Sequence, residues 1–229
     1  SFGLASALSV VVLGDESGYV ATEHQKMKIA AMEAMYHTEP APAGLSLVAF
    51  PIGNGEVFEI KIPWVLGLIT TRSFDTELPG IDELVEHAET RIENGLLAYE
   101  AVAALEENRQ DEDARAVISE TWPDLGYALL LKRYRVDIEN ATPEEISMAA
   151  ADTVPAVWPL FWTFRLMVGI GFFFIAFFAL SFWKASRGTL ETHRWFLWGA
   201  VAAMPLPWLA AEAGWIIAEF GRQPWAIEG

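Results

Sequence analysis

Two long apolar runs, residues 154–183 and 195–220, constrain this chain more than any other feature. Each is long enough to cross a hydrocarbon core of ~30 Å, which takes about 20 helical residues. The first carries one charge, Arg165, and the second carries Glu212 and Glu219. Tryptophans stand near the ends of both, where an interfacial aromatic belt is expected. Pro205 and Pro207 remove backbone donors from the second run and predict a kink there. The connection, residues 184–194, holds Lys184, Arg187, His193 and Arg194 against the single acid Glu191. In a short loop this bias predicts the cytoplasmic side, which puts the rest of the chain's polar mass on the opposite face.

Composition agrees with two unlike parts. Hydrophobic residues make up 53% of the chain, yet its formal charge is −16. Residues 14–153 hold 27 of the 31 acidic residues and 10 of the 15 basic ones, so the negative charge belongs to one section. The expected class is therefore a mainly α polytopic membrane protein: a fragment of a transmembrane helix bundle with a mostly helical extracytoplasmic loop domain. The chain has no cysteine, which excludes disulfides, thiol catalysis and cysteine-ligated iron–sulfur clusters. It offers no basic face to follow a phosphate backbone, so nucleic acid is not an expected partner. Ser1 is not an initiator, and the apolar residues 2–13 are too few to span a bilayer. Residues 1–13 thus read as the end of a transmembrane helix that begins upstream.

The acidic section, 14–153, reads as folded. Residues 25–36 have helical character and run into the turn-rich Glu39-Pro40-Ala41-Pro42-Ala43-Gly44. Residues 56–62 alternate as a strand does, and 64–69 look buried. From Gly80 to Arg109 the pattern is an amphipathic helix with Ile81, Leu84, Val85, Ala88, Ile92 and Leu96 on one side. Another short helix is expected to begin at Asp113. Thr142-Pro143-Glu144-Glu145 has the form of a capped helix start.

Three groups of residues are candidates for chemistry. Glu212, Trp215, Glu219 and Arg222, spaced three, four and three apart, share one helical stripe. Ionisable groups inside a bilayer are costly and usually face a cavity, a partner or a cofactor. The plainer reading, an interfacial Glu219–Arg222 ion pair with Glu212 hydrogen-bonded in the bundle, has equal weight. In the first span, Phe164, Met167 and Gly171 share a face. A thioether is a possible axial haem ligand, although a lone methionine is more often packing. Arg165 points to a different side, to neutralise a haem propionate, to snorkel, or to pair with an acid. His24, His37, His87 and His193 all lie outside the two spans, so any histidine opposite Met167 comes from elsewhere. Lys28 and Glu33, about 140° apart on a helix, are either two walls of a quinol pocket or ordinary surface charges.

Several segments resemble the cytochrome bd oxidase subunit I family. Gly14-Asp15-Glu16-Ser17-Gly18-Tyr19 and Gln25 to Ala34 are similar to the start of its quinol-binding loop, the Q-loop. Phe164-Arg165-Leu166-Met167-Val168-Gly169 resembles its helix carrying a methionine haem ligand. Glu212-Ala213-Gly214-Trp215 and Glu219-Phe220-Gly221-Arg222-Gln223-Pro224-Trp225 resemble its signature near the high-spin haem b, and Leu129 to Tyr134 resembles its long-loop branch.

The resemblance implies a C-terminal part of that subunit, with the long Q-loop at 14–153, spans at 154–183 and 195–220, and an outer-face segment at 221–229. It implies Met167 as a ligand of the low-spin haem b, Glu219 as a ligand of the high-spin haem b, and Arg165 as an electrostatic partner of the former. Trp215 would lie near the haem pair, with Glu212 and Arg222 in support. Lys28 and Glu33 would bind and oxidise quinol, with Arg72 a weaker member of that site. Haem d would complete the cofactors and reduce oxygen to water. A proton gradient would arise without a pump, across the bacterial cytoplasmic membrane with the loop outside. Partners would be the histidine-bearing N-terminal helices of subunit I, subunit II, small accessory membrane subunits and lipid. Two other classes remain open: a membrane-anchored extracytoplasmic binding or scaffold module, and a proton-coupled transporter segment that relays protons through Glu212 and Glu219.

Overall fold

The structure, a computed structural model, describes residues 2–53, 56–191 and 193–225. Ser1 and Glu228-Gly229 lie outside the described residues. Helices long and apolar enough to cross a membrane cover Phe2–His24, Val157–Ser186 and Arg194–Phe220.

The first, α1 (Phe2–His24), does not stop where apolarity stops. It runs on through Gly14-Asp15-Glu16 for three more turns, and 23 residues suffice for a span. A helix ends where its backbone hydrogen bonds lose their partners, and nothing after Leu13 removes them. The third is broken at Met204 and Pro205 into α9 (Arg194–Ala203) and α10 (Leu206–Phe220), as its prolines require.

Helix α8 (Val157–Ser186) packs against both α1 and α10. A Cβ built on Gly3 would lie 2.9 Å from the ring of Phe178, toward the C-terminal end of α8. One built on Gly221 would lie 2.8 Å from the stem of Lys28, just beyond the C-terminal end of α1. The three spans therefore alternate in direction. Residues 25–156 sit at one end of the bundle and the 187–193 connection at the other.

The large connection opens with α2 (Lys26–Met32), shorter than the 25–36 expected. Ala34 takes a left-handed backbone, φ 52°. Met35 N–H donates to Ala30 O (2.9 Å) and Ala34 N–H to Ala31 O (3.2 Å), a helix-ending motif normally signalled by glycine. An antiparallel hairpin follows, β1 (Leu45–Gly53) and β2 (Glu56–Ile62), with Phe50 opposite Phe58 and Ala49 opposite Glu59. Then come α3 (Val65–Thr70), the long α4 (Ile81–Glu107), α5 (Glu112–Thr121), α6 (Leu125–Ala128) and α7 (Pro143–Ala151). Of the expected buried stretch, Leu66 and Gly67 are buried, whereas Trp64, Leu68 and Ile69 are exposed. Thr142 and Glu145 form the expected reciprocal capping box at α7.

Two cores result. The outer one, of Ala88, Ile92, Ala128, Leu131, Ile138, Ala149 and Ala150, joins α4 to α6 and α7. There α4 and α6 approach so closely that a Cβ on Gly95 would lie 2.3 Å from Asp124 O. The inner core welds α2, the hairpin and α3 to the first turns of α8 through Ile29, Ala30, Leu66, Leu160 and Phe161. Burying a side chain such as Leu160 or Phe161 contributes about 1.5–3 kcal/mol. The connection is thus packed onto the membrane helices and not tethered beside them.

Candidate functional site

The inner core holds one buried ion pair. Glu33, 4% exposed at the end of α2, accepts a 2.8 Å hydrogen bond from Arg165 Nη2 on the third turn of α8. Arg165 also donates from Nη1 to Met32 O (2.6 Å) and from Nε to Ser46 O (3.0 Å), and its guanidinium lies 3.5 Å from the Phe161 ring centroid. Of the sequence readings of Arg165, pairing with an acid is the one this contact matches. Burial pushes the Glu33 carboxyl up to about 7, against the opposing pull of the Arg165 charge and hydrogen bond. A carboxyl poised there suits a group that accepts and releases protons near neutral pH.

Glu33 opens onto a cavity of about 400 Å³ between α2 and the hairpin, also lined by Ser46, Glu59, Lys61 and Glu39. Lys28 does not share it. Its Nζ donates to Gln25 Oε1 (3.2 Å), and it lines a separate cavity of about 290 Å³ with His87, Arg91, Arg222 and Trp225. Glu33 and Lys28 thus face two cavities on either side of α2, as a five-residue separation on a helix dictates. Arg72 lines neither. It donates to Asp15 (3.3 Å) and Glu16 (2.6 Å), stacks 4.3 Å from the Tyr19 ring centroid, and so ties α3 to α1.

In the spans, Met167 is half-buried on the α8 face that meets α10, where a Cβ on Gly214 would lie 3.2 Å from its Sδ. Ala213, Ile217 and Gly221 are the buried side of α10. Glu212 and Trp215 are exposed on its other side, and Glu219 is half-buried. Glu219 Oε2 accepts from Arg222 Nη2 at 2.5 Å, which is the interfacial pair of the plainer reading. Arg222 also lines the Lys28 cavity, and Trp225 packs on Tyr127 with ring centroids 4.6 Å apart. The Gly-Arg-Gln-Pro-Trp run therefore locks the end of α10 to the loop domain. Among the described residues, no three His, Cys, Asp or Glu side chains converge to hold a metal ion.

The whole chain, residues 1–229, matches the family model described as cytochrome bd terminal oxidase subunit I. The chain belongs to the cytochrome bd terminal oxidase subunit I family. It is 37% identical to the cytochrome bd-II ubiquinol oxidase subunit 1 of Escherichia coli (strain K12) over 99% of this chain and 45% of that protein. It is 26% identical to the cytochrome bd ubiquinol oxidase subunit 1 of Bacillus subtilis (strain 168), over 99% of this chain and 37% of that one. The chain thus spans less than half the length of these relatives. In fold it is similar to the bd oxidase structure from Geobacillus thermodenitrificans, with TM-score 0.58 and 23% identity, covering 99% of this chain and 37% of that one. As a member of the cytochrome bd subunit I family, the chain is a mainly α-helical, polytopic membrane protein.

Sequence reasoning missed β1 and, with it, Ser46, Glu59 and Lys61 beside Glu33. The short, nearly continuous apolar run over 45–50, Leu-Ser-Leu-Val-Ala-Phe, directly after the turn-rich 39–44, was the available signal.

Proposed function

We propose that this chain is the Q-loop and haem-helix portion of a quinol:oxygen oxidoreductase of the cytochrome bd type. In this reading quinol is oxidised at the outer face of the bacterial cytoplasmic membrane, and electrons pass onward for reduction of oxygen to water without proton pumping. The observation that carries it is the buried Glu33–Arg165 pair. It joins a carboxyl in the loop to a span that bears Met167 two residues further on. Family membership favours this reading over an anchored scaffold or a transporter segment.

The chain's own residues would act as follows. Glu33 accepts a quinol hydroxyl proton. Lys28, on the far side of α2, supports the quinol site indirectly, by packing its stem against Gly221 at the end of α10. Arg165 holds Glu33 in place and favours its ionised form.

Met167 and Glu219 fit a haem-holding role as single donors. The thioether is soft, and the Arg222 bond to Glu219 uses Oε2 and leaves Oε1 to accept. A low-spin haem b would take Met167, and a high-spin haem b would take Glu219, with Trp215 and Glu212 on the same exposed stripe. Bound haem, with haem d, would supply the electron acceptors and the oxygen-reducing centre. The opposing ligands and the cover for this stripe would come from the remainder of subunit I, subunit II and small accessory subunits.

In the complete complex, Met167→Leu should remove the low-spin haem b band from the reduced-minus-oxidised spectrum, and Glu219→Ala the high-spin band. Glu33→Ala should abolish most quinol oxidase turnover with haem content intact. Unchanged spectra in the first two variants would sink the ligand roles, and normal turnover in the third would remove Glu33 from the site.

A further inference from the structure

The hairpin is two-faced. Phe50, Phe58 and Ile60 point outward and are exposed, whereas Ser46, Glu59 and Lys61 line the cavity over Glu33. These polar groups are connected. Ser46 and Glu33 line the same cavity and Arg165 bonds both, at the Ser46 carbonyl and the Glu33 carboxylate, and Ser46 Oγ donates to Glu59 Oε2 at 2.8 Å. Lys61 Nζ lies 2.8 Å from Glu59 Oε1 and also pairs with Glu39. From Glu33, 4% exposed, the path reaches side chains that are 20–32% exposed. A polar space of about 400 Å³ has room for several waters, each claiming roughly 30 Å³.

We propose that this cavity is the outward proton-release route of quinol oxidation, and that Glu59 relays protons from Glu33 to the outer surface. The inference rests on the reading of Glu33 as the quinol-site base. In each half-reaction a quinol O–H bond breaks and its proton goes to the Glu33 carboxylate, while the oxidised haem of the complete complex would take up the one electron released. The Glu33 carboxyl then gives the proton through cavity water to the Glu59 carboxylate, which gives it to bulk water. Two such steps turn one quinol into quinone, two electrons and two external protons.

The charged and titratable groups around Glu33 suit this direction. Arg165 on α8 stabilises its anion from within. Lys61 and Glu59 on β2, with Glu39 and His37 after α2, carry the path outward. Lys61 between two carboxylates leaves this wall net negative, which attracts a leaving proton. Burial holds the Glu33 carboxyl near 7, so it gives up its proton at working pH.

The test uses the complete oxidase with Glu59→Gln, Glu59→Asp and Glu33→Gln. Glu59→Gln keeps the side-chain shape and an acceptor for Ser46 but cannot relay a proton. Its kcat should fall at least roughly ten-fold, the modest side of what proton-transfer groups contribute. Its haem spectrum and quinol KM should not change. Its solvent deuterium isotope effect should rise, acetate or imidazole should restore turnover, and Glu59→Asp should retain most of it. Wild-type turnover in Glu59→Gln overturns the route, and so does a loss that neither buffer relieves and that Glu59→Asp shares. An inactive Glu33→Gln beside a normal Glu59→Gln removes the route alone. A fully active Glu33→Gln removes the quinol-site reading with it.

Discussion

Arg165 makes three hydrogen-bonded links from one side chain: to the Glu33 carboxylate, to the last turn of α2 at Met32 O, and to β1 at Ser46 O. Only a planar fork serves these directions together, so lysine is not equivalent. Arg165→Leu should cost about 3–5 kcal/mol, the typical loss when one partner of a buried pair is removed. It should appear as a lower melting temperature of the complex, partly recovered by adding Glu33→Gln. The pH response has a definite sign. Glu33 is raised from 4.5 to about 7 by burial, with Arg165 opposing that rise. Between those values the unfolded chain ionises Glu33 while the folded chain keeps it protonated, so its contribution to stability falls as pH rises and levels off above 7. A base must be ionised, so kcat/KM for quinol should climb with pH through about 7. Arg165→Leu, by removing the opposing charge, should move that climb to higher pH. A profile that stays in place would show that Arg165 does not set the Glu33 proton affinity.

At the scale of elements, the join between α10 and α2 carries the most consequence. Gly221 has φ −71°, so glycine is there for space and not for a left-handed backbone. A methyl group would meet Ile217 O at 2.5 Å and the Lys28 stem at 2.8–2.9 Å. Gly221→Ala should therefore destabilise by about 1–3 kcal/mol, as overpacking does. It should raise the quinol KM by displacing Lys28, with Met167-dependent spectra retained; an unchanged KM would separate Lys28 from quinol binding. Much at this scale was legible locally. The α4 stripe, the Thr142 capping box and the proline break all follow from neighbours within one or two turns. The early end of α2 was not, because Ala34 has no glycine-like signature. Its left-handed backbone is held by Arg165 and the packing of buried Met35.

At the scale of the whole molecule, three alternating spans put residues 25–156 and the 187–193 connection at opposite ends of the bundle. A chain without cysteine makes this directly measurable. With cysteines of the other subunits blocked beforehand, a membrane-impermeant maleimide should label Ser119→Cys in intact spheroplasts. It should label Ser186→Cys only after permeabilisation; the reverse pattern would invert the orientation read from the basic loop. The sequence by itself determined the two later spans, the location of the charge, the helical stripe of Glu212, Trp215 and Glu219, and the family, while α1 read as a helix end and only the structure carried it through to His24. These depend on local period, composition and short motifs, all set by covalent geometry and solvent preference. Only the tertiary structure decided that Glu33 meets Arg165, 132 residues away, that Lys28 faces another cavity, and that Glu59 and Lys61 stand over the buried carboxyl. Such pairings come from burial and loop closure across the whole chain. No local pattern encodes the depth at which a carboxylate ends up or the cation that waits there.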